Sequence, residues 1–172
     1  MTDSMCLAPG WVNVAHVTTI DVTLRAFLLP QLQHLMSSGF GVAGISSPGD
    51  GVSVLEHAGV RHFAVPMTRV ASTPIADLAS LWRLYRVFRR ERFAIVHTHT
   101  LKAGLFGRWA ARAAGVPIVV HTSHGRIYRE DSPRPWRWFF TTLERIAARG
   151  TDFVLFVNGE DLRDAVRERI YP

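Results

Sequence analysis

Short β-branched apolar runs alternate along this chain with longer stretches in which apolar residues recur every three to four positions. The runs at 12–18, 41–46, 61–66, 93–97, 118–122 and 153–157 read as strands, and their near-continuous apolar character is that of parallel strands buried on both faces. The stretches at 24–38, 52–58, 73–92, 101–114, 136–149 and 158–170 read as helices. Gly39, Gly59 and Gly115 close three of them. Pro30 falls inside the first and is tolerable only in a first turn or at a kink. Thr73-Pro74 supplies a cap followed by proline at the first helical position. Asp161, three residues after Asn158, gives the last helix a capping-box pattern. In the helix over 73–92, Leu78, Leu81, Trp82, Tyr85 and Phe88 align as an apolar stripe, with Arg83, Arg86 and Arg90 on another face. Strict strand–helix alternation predicts an α/β fold: a doubly wound, mostly parallel sheet in one domain over residues 1–172. Residues 1–10 read as a loose leader, and the pattern closes after a complete helix at Ile170-Tyr171-Pro172.

Two strand ends carry the chemistry. Ile95-Val96-His97-Thr98-His99-Thr100-Leu101-Lys102-Ala103-Gly104 is an apolar run that breaks into polar residues and leads straight into a helix. Val119-Val120-His121-Thr122-Ser123-His124-Gly125 repeats the break. Ligands of open α/β sheets bind beyond the carboxyl ends of the strands. The expectation is that His97, His99, His121 and His124 converge on one crevice with hydroxyls and Lys102, a site for a polyhydroxylated or phosphorylated ligand. Alternation puts His97 and His99 on one side, with His99 further out and favoured to face ligand. His97 is expected to act through stability. Lys102, in a first helical turn, offers a phosphate contact, and a solvated surface lysine is the plainer alternative. Gly125 permits close backbone approach or a positive φ beside His124, and Arg126 follows. Thr18-Thr19-Ile20-Asp21 ends the first strand. Four histidines could also hold a metal, but no carboxylate or cysteine cluster accompanies them, and the expectation is no metal.

Composition narrows the setting. Forty-eight per cent hydrophobic and 20% charged residues describe an ordinary globular chain. No apolar run approaches the roughly eighteen residues of a membrane helix, and the N-terminus lacks the basic and apolar regions of a signal peptide. The one cysteine, Cys6, suits a reducing cytoplasm. The net charge is +6, and Lys102 is the only lysine beside nineteen arginines. Such an excess favours nucleotide phosphates, lipid phosphates or acidic headgroups. Arg126, Arg129, Arg134 and Arg137, interleaved with Tyr128, Trp136 and Trp138, suit a membrane interface. The alternatives are a stacking surface and two tryptophans packed in the core. No G-x-G-x-x-G and no Walker loop is present, so a dinucleotide dehydrogenase and a P-loop enzyme are excluded.

From about Val14 to Ile170 the chain resembles the N-terminal domain of glycosyltransferase family 4, retaining enzymes of the GT-B fold with two Rossmann-like halves. The block from Ile95 to Arg108 is similar to that family's strand–helix block, and His121-Thr122-Ser123-His124-Gly125 to its second. Val157-Asn158-Gly159-Glu160-Asp161-Leu162 looks like the step before the interdomain crossing. The resemblance implies an acceptor-binding half that serves transfer of a sugar from a nucleotide-diphosphate sugar to a polysaccharide or lipid-linked acceptor. It implies hexosyltransferase-type chemistry with no cofactor beyond that donor substrate, and no nucleic acid. It makes His124 the catalytic histidine that reaches the donor sugar. Thr18, Thr19, His99, Thr100, Lys102, Gly104, Gly125 and Arg126 become the substrate-binding set. Thr18-Thr19 stands where many members have glycines. The family's C-terminal nucleotide-binding domain, with its E-x7-E element, has no counterpart here. The expectation is therefore a fragment, a truncated gene product or one half of a split enzyme, inactive alone. Half of a sugar-nucleotide 2-epimerase, or a non-catalytic subunit that binds acceptor and recruits a partner, are the alternatives. The implied setting is cytoplasmic, with peripheral contact at the inner membrane face.

Overall fold

A computed structural model describes residues 12–68, 73–125 and 132–171. Its strands are β1 (Asn13–Ile20), β2 (Gly41–Ser47), β3 (Arg61–Ala64), β4 (Ile95–His99), β5 (Ile118–Ser123) and β6 (Phe153–Phe156). They form one all-parallel sheet in the order β3-β2-β1-β4-β5-β6. The order turns back between β1 and β4, which makes the carboxyl ends of that pair the switch point where such sheets open a crevice.

Helices sit where the periodicity places them. α1 (Asp21–Thr23) runs through a π-helical section, Leu24–Leu28, into α2 (Leu29–Ser37). Pro30 lies in the first turn of α2. The π section resets the hydrogen-bond register ahead of it, so the missing N–H is accommodated. α3 (Val52–His57), α4 (Pro74–Glu91), α5 (Leu101–Ala114), α6 (Arg134–Ala148) and α7 (Gly159–Arg167) follow. The Asn158 side chain accepts from the Asp161 N–H at 2.8 Å and its amide donates to the Asp161 carboxylate at 2.6 Å, a reciprocal N-cap.

Because successive side chains of a strand point to opposite faces, β2 feeds two cores. Ala15 and Val17 join Ala43, Ile45, Val96 and Val119 under α4 and α5. Val42, with Leu24, Leu28, Leu32, Leu55 and Val60, fills the other face. His16 lies in the middle of the β1 run and is fully buried.

α4 corrects one expectation. Leu78 and Trp82 are 67% and 57% exposed, and the inward edge is Ser80, Leu84 and Phe88. Ser80 suits that edge because its hydroxyl donates to the Pro66 and Ala76 carbonyls. Its polarity disguised the true i, i+4 row. On α6, Trp136 and Trp138 are 55% and 70% exposed, so the core-packing alternative does not hold.

Candidate functional site

The carboxyl ends of β4 and β5 frame a recess of about 260 Å³ between α5, α6 and α7. His124, Ser123, Gly125 and Thr100 reach its rim, and Phe140 and Phe156 line its apolar wall. His124 is exposed, and its partial removal from water lowers its pKa. Gly125 takes φ +134° with no atom within 4 Å of where a Cβ would stand. Its requirement is therefore conformational: other residues rarely adopt that φ.

Thr19 and Thr100 meet across the switch point, with their hydroxyl oxygens 2.9 Å apart. Thr100 holds φ +61° and ψ 169°, a strained conformation for a non-glycine residue, between β4 and the first turn of α5. Strain of this kind costs about 1–3 kcal/mol and collects at functional sites. Thr18 is a correction: it is fully buried, and its hydroxyl donates to the Ile20 carbonyl at 2.8 Å. Asp21 ties the same loop to the next one by accepting from the Gly51 N–H at 2.7 Å.

Three of the four imidazoles, His97, His99 and His124, gather in one group, and His121 does not join them. His121 points to the α5 face, 3.0 Å from the Thr98 hydroxyl. His97 and His99 lie on the opposite face, as alternation requires. His99 is 1% exposed and does not face ligand. Its Nδ1 lies 3.2 Å from His124 Nε2, and its Nε2 lies 3.2 Å from His16 Nδ1. His97 Nε2 meets the Thr122 hydroxyl at 2.7 Å. Burial drives all four of these inner rings toward the neutral form: His16 and His121 fall to about 3, His97 to about 4, and His99 further. After burial, the Arg108 charge adds most to the His121 shift, and neighbouring imidazoles add to the others.

Ring nitrogens of His16, His97 and His99 lie within 4.8 Å of one another, the spacing of a metal trio among the described residues. All three are buried, and their nitrogens bond one another, His124 and Thr122. The neighbouring charges that shift their pKa values are all histidines, with no carboxylate to offset a cation.

Two further assignments change. Lys102 does not offer its charge to the crevice. Its Nζ donates to Asp77 Oδ1 at 2.7 Å and to the Thr68 hydroxyl at 2.8 Å, clamping α5 to the start of α4. Gly104 is a packing residue, buried where α5 crosses the sheet. A Cβ there would lie 2.7 Å from His121 Cε1. Gly104→Ala should therefore lower stability by about 1–3 kcal/mol through overpacking, although alanine gains about 1 kcal/mol of helix propensity. Urea unfolding measures it, and a stabilised variant would show that His121 moves freely. Arg126 lies outside the described residues, as do Tyr128 and Arg129.

Sequence reasoning missed three participants. His16 was legible only as a polar residue in an apolar strand. Arg108 and Glu144 form an ion pair with Nη2 donating to Oε2 at 2.9 Å, and Tyr171 donates to Oε1 at 2.7 Å. Burial works to raise the Glu144 pKa, but the Arg108 charge and hydrogen bond outweigh it and hold the carboxyl below its usual range.

This sheet, with its recess at the ends of β4 and β5 beside the switch point, has relatives. Residues 23–172 match the model of the glycosyl transferase 4-like domain. The chain belongs to that family. It is 31% identical over 159 residues to the Escherichia coli UDP-Gal:alpha-D-GlcNAc-diphosphoundecaprenol alpha-1,3-galactosyltransferase, a match covering 91% of this chain and 41% of that enzyme. A crystal structure of a glycosyltransferase from Rickettsia africae superposes with TM-score 0.70 at 17% identity, over 95% of this chain and 41% of the other. A UDP-N-acetylglucosamine 2-epimerase superposes with TM-score 0.66 at 16% identity, over 92% and 45%. The glycosyl transferase 4-like domain thus spans well under half the length of these relatives, and its fold is that of a GT-B half.

Proposed function

We propose that this domain is the acceptor-side half of a retaining glycosyltransferase that moves a sugar from a nucleotide-diphosphate sugar to a polysaccharide or lipid-linked acceptor. The observation that carries the proposal is the placement of His124. It is exposed at the end of β5 beside Gly125, faces the recess, and is tied back to the core through His99. A neutral imidazole there can donate to a sugar oxygen as the glycosidic bond to the diphosphate lengthens. Thr100 brings a hydroxyl to the rim, 2.9 Å from that of the buried Thr19. Asp161 and Asp164 also line the recess, with their carboxylates engaged by Asn158 and Arg167. Donor phosphates would be held mainly by a second domain, and transfer needs both walls of the cleft.

In an enzyme completed with its nucleotide-binding domain, His124→Ala should lower turnover roughly 10²–10³-fold with little change in melting temperature, as loss of a positioned donor does. Near-normal turnover together with several degrees of lost stability would make His124 a structural turn residue.

Half of a sugar-nucleotide 2-epimerase is the second reading, supported by the epimerase superposition. Incubation of the completed enzyme with nucleotide sugar alone separates the two, since an epimerase needs no acceptor.

Contact with a membrane surface belongs to the same proposal. Trp136, Phe139 and Ile146 form an exposed stripe along α6, and Arg134 and Arg149 are exposed at its two ends. Aromatic groups flanked by arginine suit a lipid interface, and a cytoplasmic enzyme working on a lipid-linked acceptor would use one. No helix among the described residues is long and apolar enough to cross a membrane.

A further inference from the structure

Three imidazoles run in line from the core to the recess. His16 Nδ1 lies 3.2 Å from His99 Nε2, and His99 Nδ1 lies 3.2 Å from His124 Nε2. The inner end of the line is closed: His16 is fully buried, and its Nε2 has no hydrogen-bond partner. The outer end is open, because His124 is exposed at the rim.

Each ring is neutral at pH 7 and carries one N–H. The two contacts therefore admit two arrangements, with every proton pointing inward or every proton pointing outward. If the protons point inward, His124 donates from Nε2 to His99, His99 donates from Nε2 to His16, and the last proton sits on His16 Nε2. That would leave a buried N–H without an acceptor, which is rarer in folded proteins than an under-used acceptor. If they point outward, His16 Nδ1–H donates to His99 Nε2 and His99 Nδ1–H donates to His124 Nε2. Only a bare lone pair is then left in the core.

We infer that His16 and His99 are positioning residues that lock His124 in the Nδ1–H tautomer, so that the ring nitrogen not turned to His99 is a hydrogen-bond donor. The inference deepens the reading of His124 as the residue that meets the sugar. It assigns the ring a fixed polarity: His124 offers a proton to a ligand oxygen and does not accept one from a ligand hydroxyl. It also gives two buried histidines in the sheet a task that apolar residues could not perform. His97 stands beside the line, its ring centroid 4.2 Å from that of His99, and its Nε2 is occupied by Thr122.

The test is long-range ¹H–¹⁵N correlation of the imidazole rings in the ¹⁵N-labelled 172-residue chain at pH 7.5. His16, His99 and His124 should all show the Nδ1–H pattern, against the Nε2–H form that prevails in free histidine. His124 found as Nε2–H in the unsubstituted chain overturns the inference, and this measurement needs no variant to fold. His16→Phe removes the inner donor and should release His124 into Nε2–H or a mixture. His16→Asn places an amide N–H where Nδ1–H stood and should restore the Nδ1–H form. A His124 that stays Nδ1–H in both His16→Phe and His99→Phe would mean that the line does not set it. The readout is independent of transfer: loss of turnover in His124→Ala with the Nε2–H tautomer in the spectra would sink the lock and spare the proposed activity. The opposite pair of results would do the reverse.

Discussion

Lowering the pH from 7 to 5.5 is expected to remove about 5 kcal/mol of folding stability. His16, His97, His99 and His121 are held neutral in the fold, the first two and the last at about 3, 4 and 3, and His99 lower still. In the unfolded chain each regains an ordinary imidazole pKa near 6.5. Between those limits the unfolded state binds more protons, so stability rises with pH. The contribution is complete above about pH 7 and is lost as pH falls through 6.5. Each ring gives up about 1.3 kcal/mol over this window, and four act together. A domain of ordinary stability holds about 5–15 kcal/mol in total. Cooperative unfolding should therefore begin near pH 5, well above the range in which carboxylates titrate. Circular dichroism against pH measures the midpoint, and the pH dependence of urea unfolding counts the protons taken up. A chain that stays folded to pH 4 would show that the inner rings gain solvent or protons without unfolding. His97→Gln should reduce the uptake by about one proton.

Arg108→Ala is expected to cost about 3–5 kcal/mol, the usual penalty for breaking a buried ion pair from one side. Arg108 is the largest fully buried side chain described. Its Nε donates to the Gly104 carbonyl at 2.8 Å, and its guanidinium meets both oxygens of Glu144. The substitution leaves a buried carboxylate with Tyr171 as its one near donor among the described residues. Arg108→Met combined with Glu144→Met removes both charges and should recover much of the loss. Thermal or urea unfolding checks both. A loss under about 1 kcal/mol in the single variant would mean that water reaches Glu144. Because the pair joins α5 to α6 on one wall of the recess, partial unfolding in Arg108→Ala should start there.

Much of the fold was legible because its signals are local. The Thr73-Pro74 start, the Asn158 cap and the glycine stops act within one turn, and the strand runs need only their own composition. The α4 face was misread because Ser80 is buried by virtue of two hydrogen bonds that no periodicity shows. The site was legible in kind and not in partnership. His124, Gly125, Thr19 and Thr100 stand at the strand ends where the alternation put them. The role of His99 depends on His16, eighty-three positions away, and on a β1–β4 pairing that places His16 opposite His97. Lys102 looked free because Asp77 lies on another helix. Buried charge is also hard to read from a chain: Arg108 sits between Gly107 and Trp109 with nothing to mark it as buried, and its partner is thirty-six positions on.

The Lys102 clamp makes amine chemistry on this chain unusually simple. The sequence holds one lysine, so acylating reagents have two addresses, the α-amino group and Lys102. The second is engaged by Asp77 and two threonine hydroxyls and is only 12% exposed. A reagent can modify it only after the ammonium leaves the carboxylate and loses its proton. Its labelling rate thus becomes a clock for release of the Lys102 side chain from Asp77, with no engineered probe and no competing lysine in this sequence to subtract.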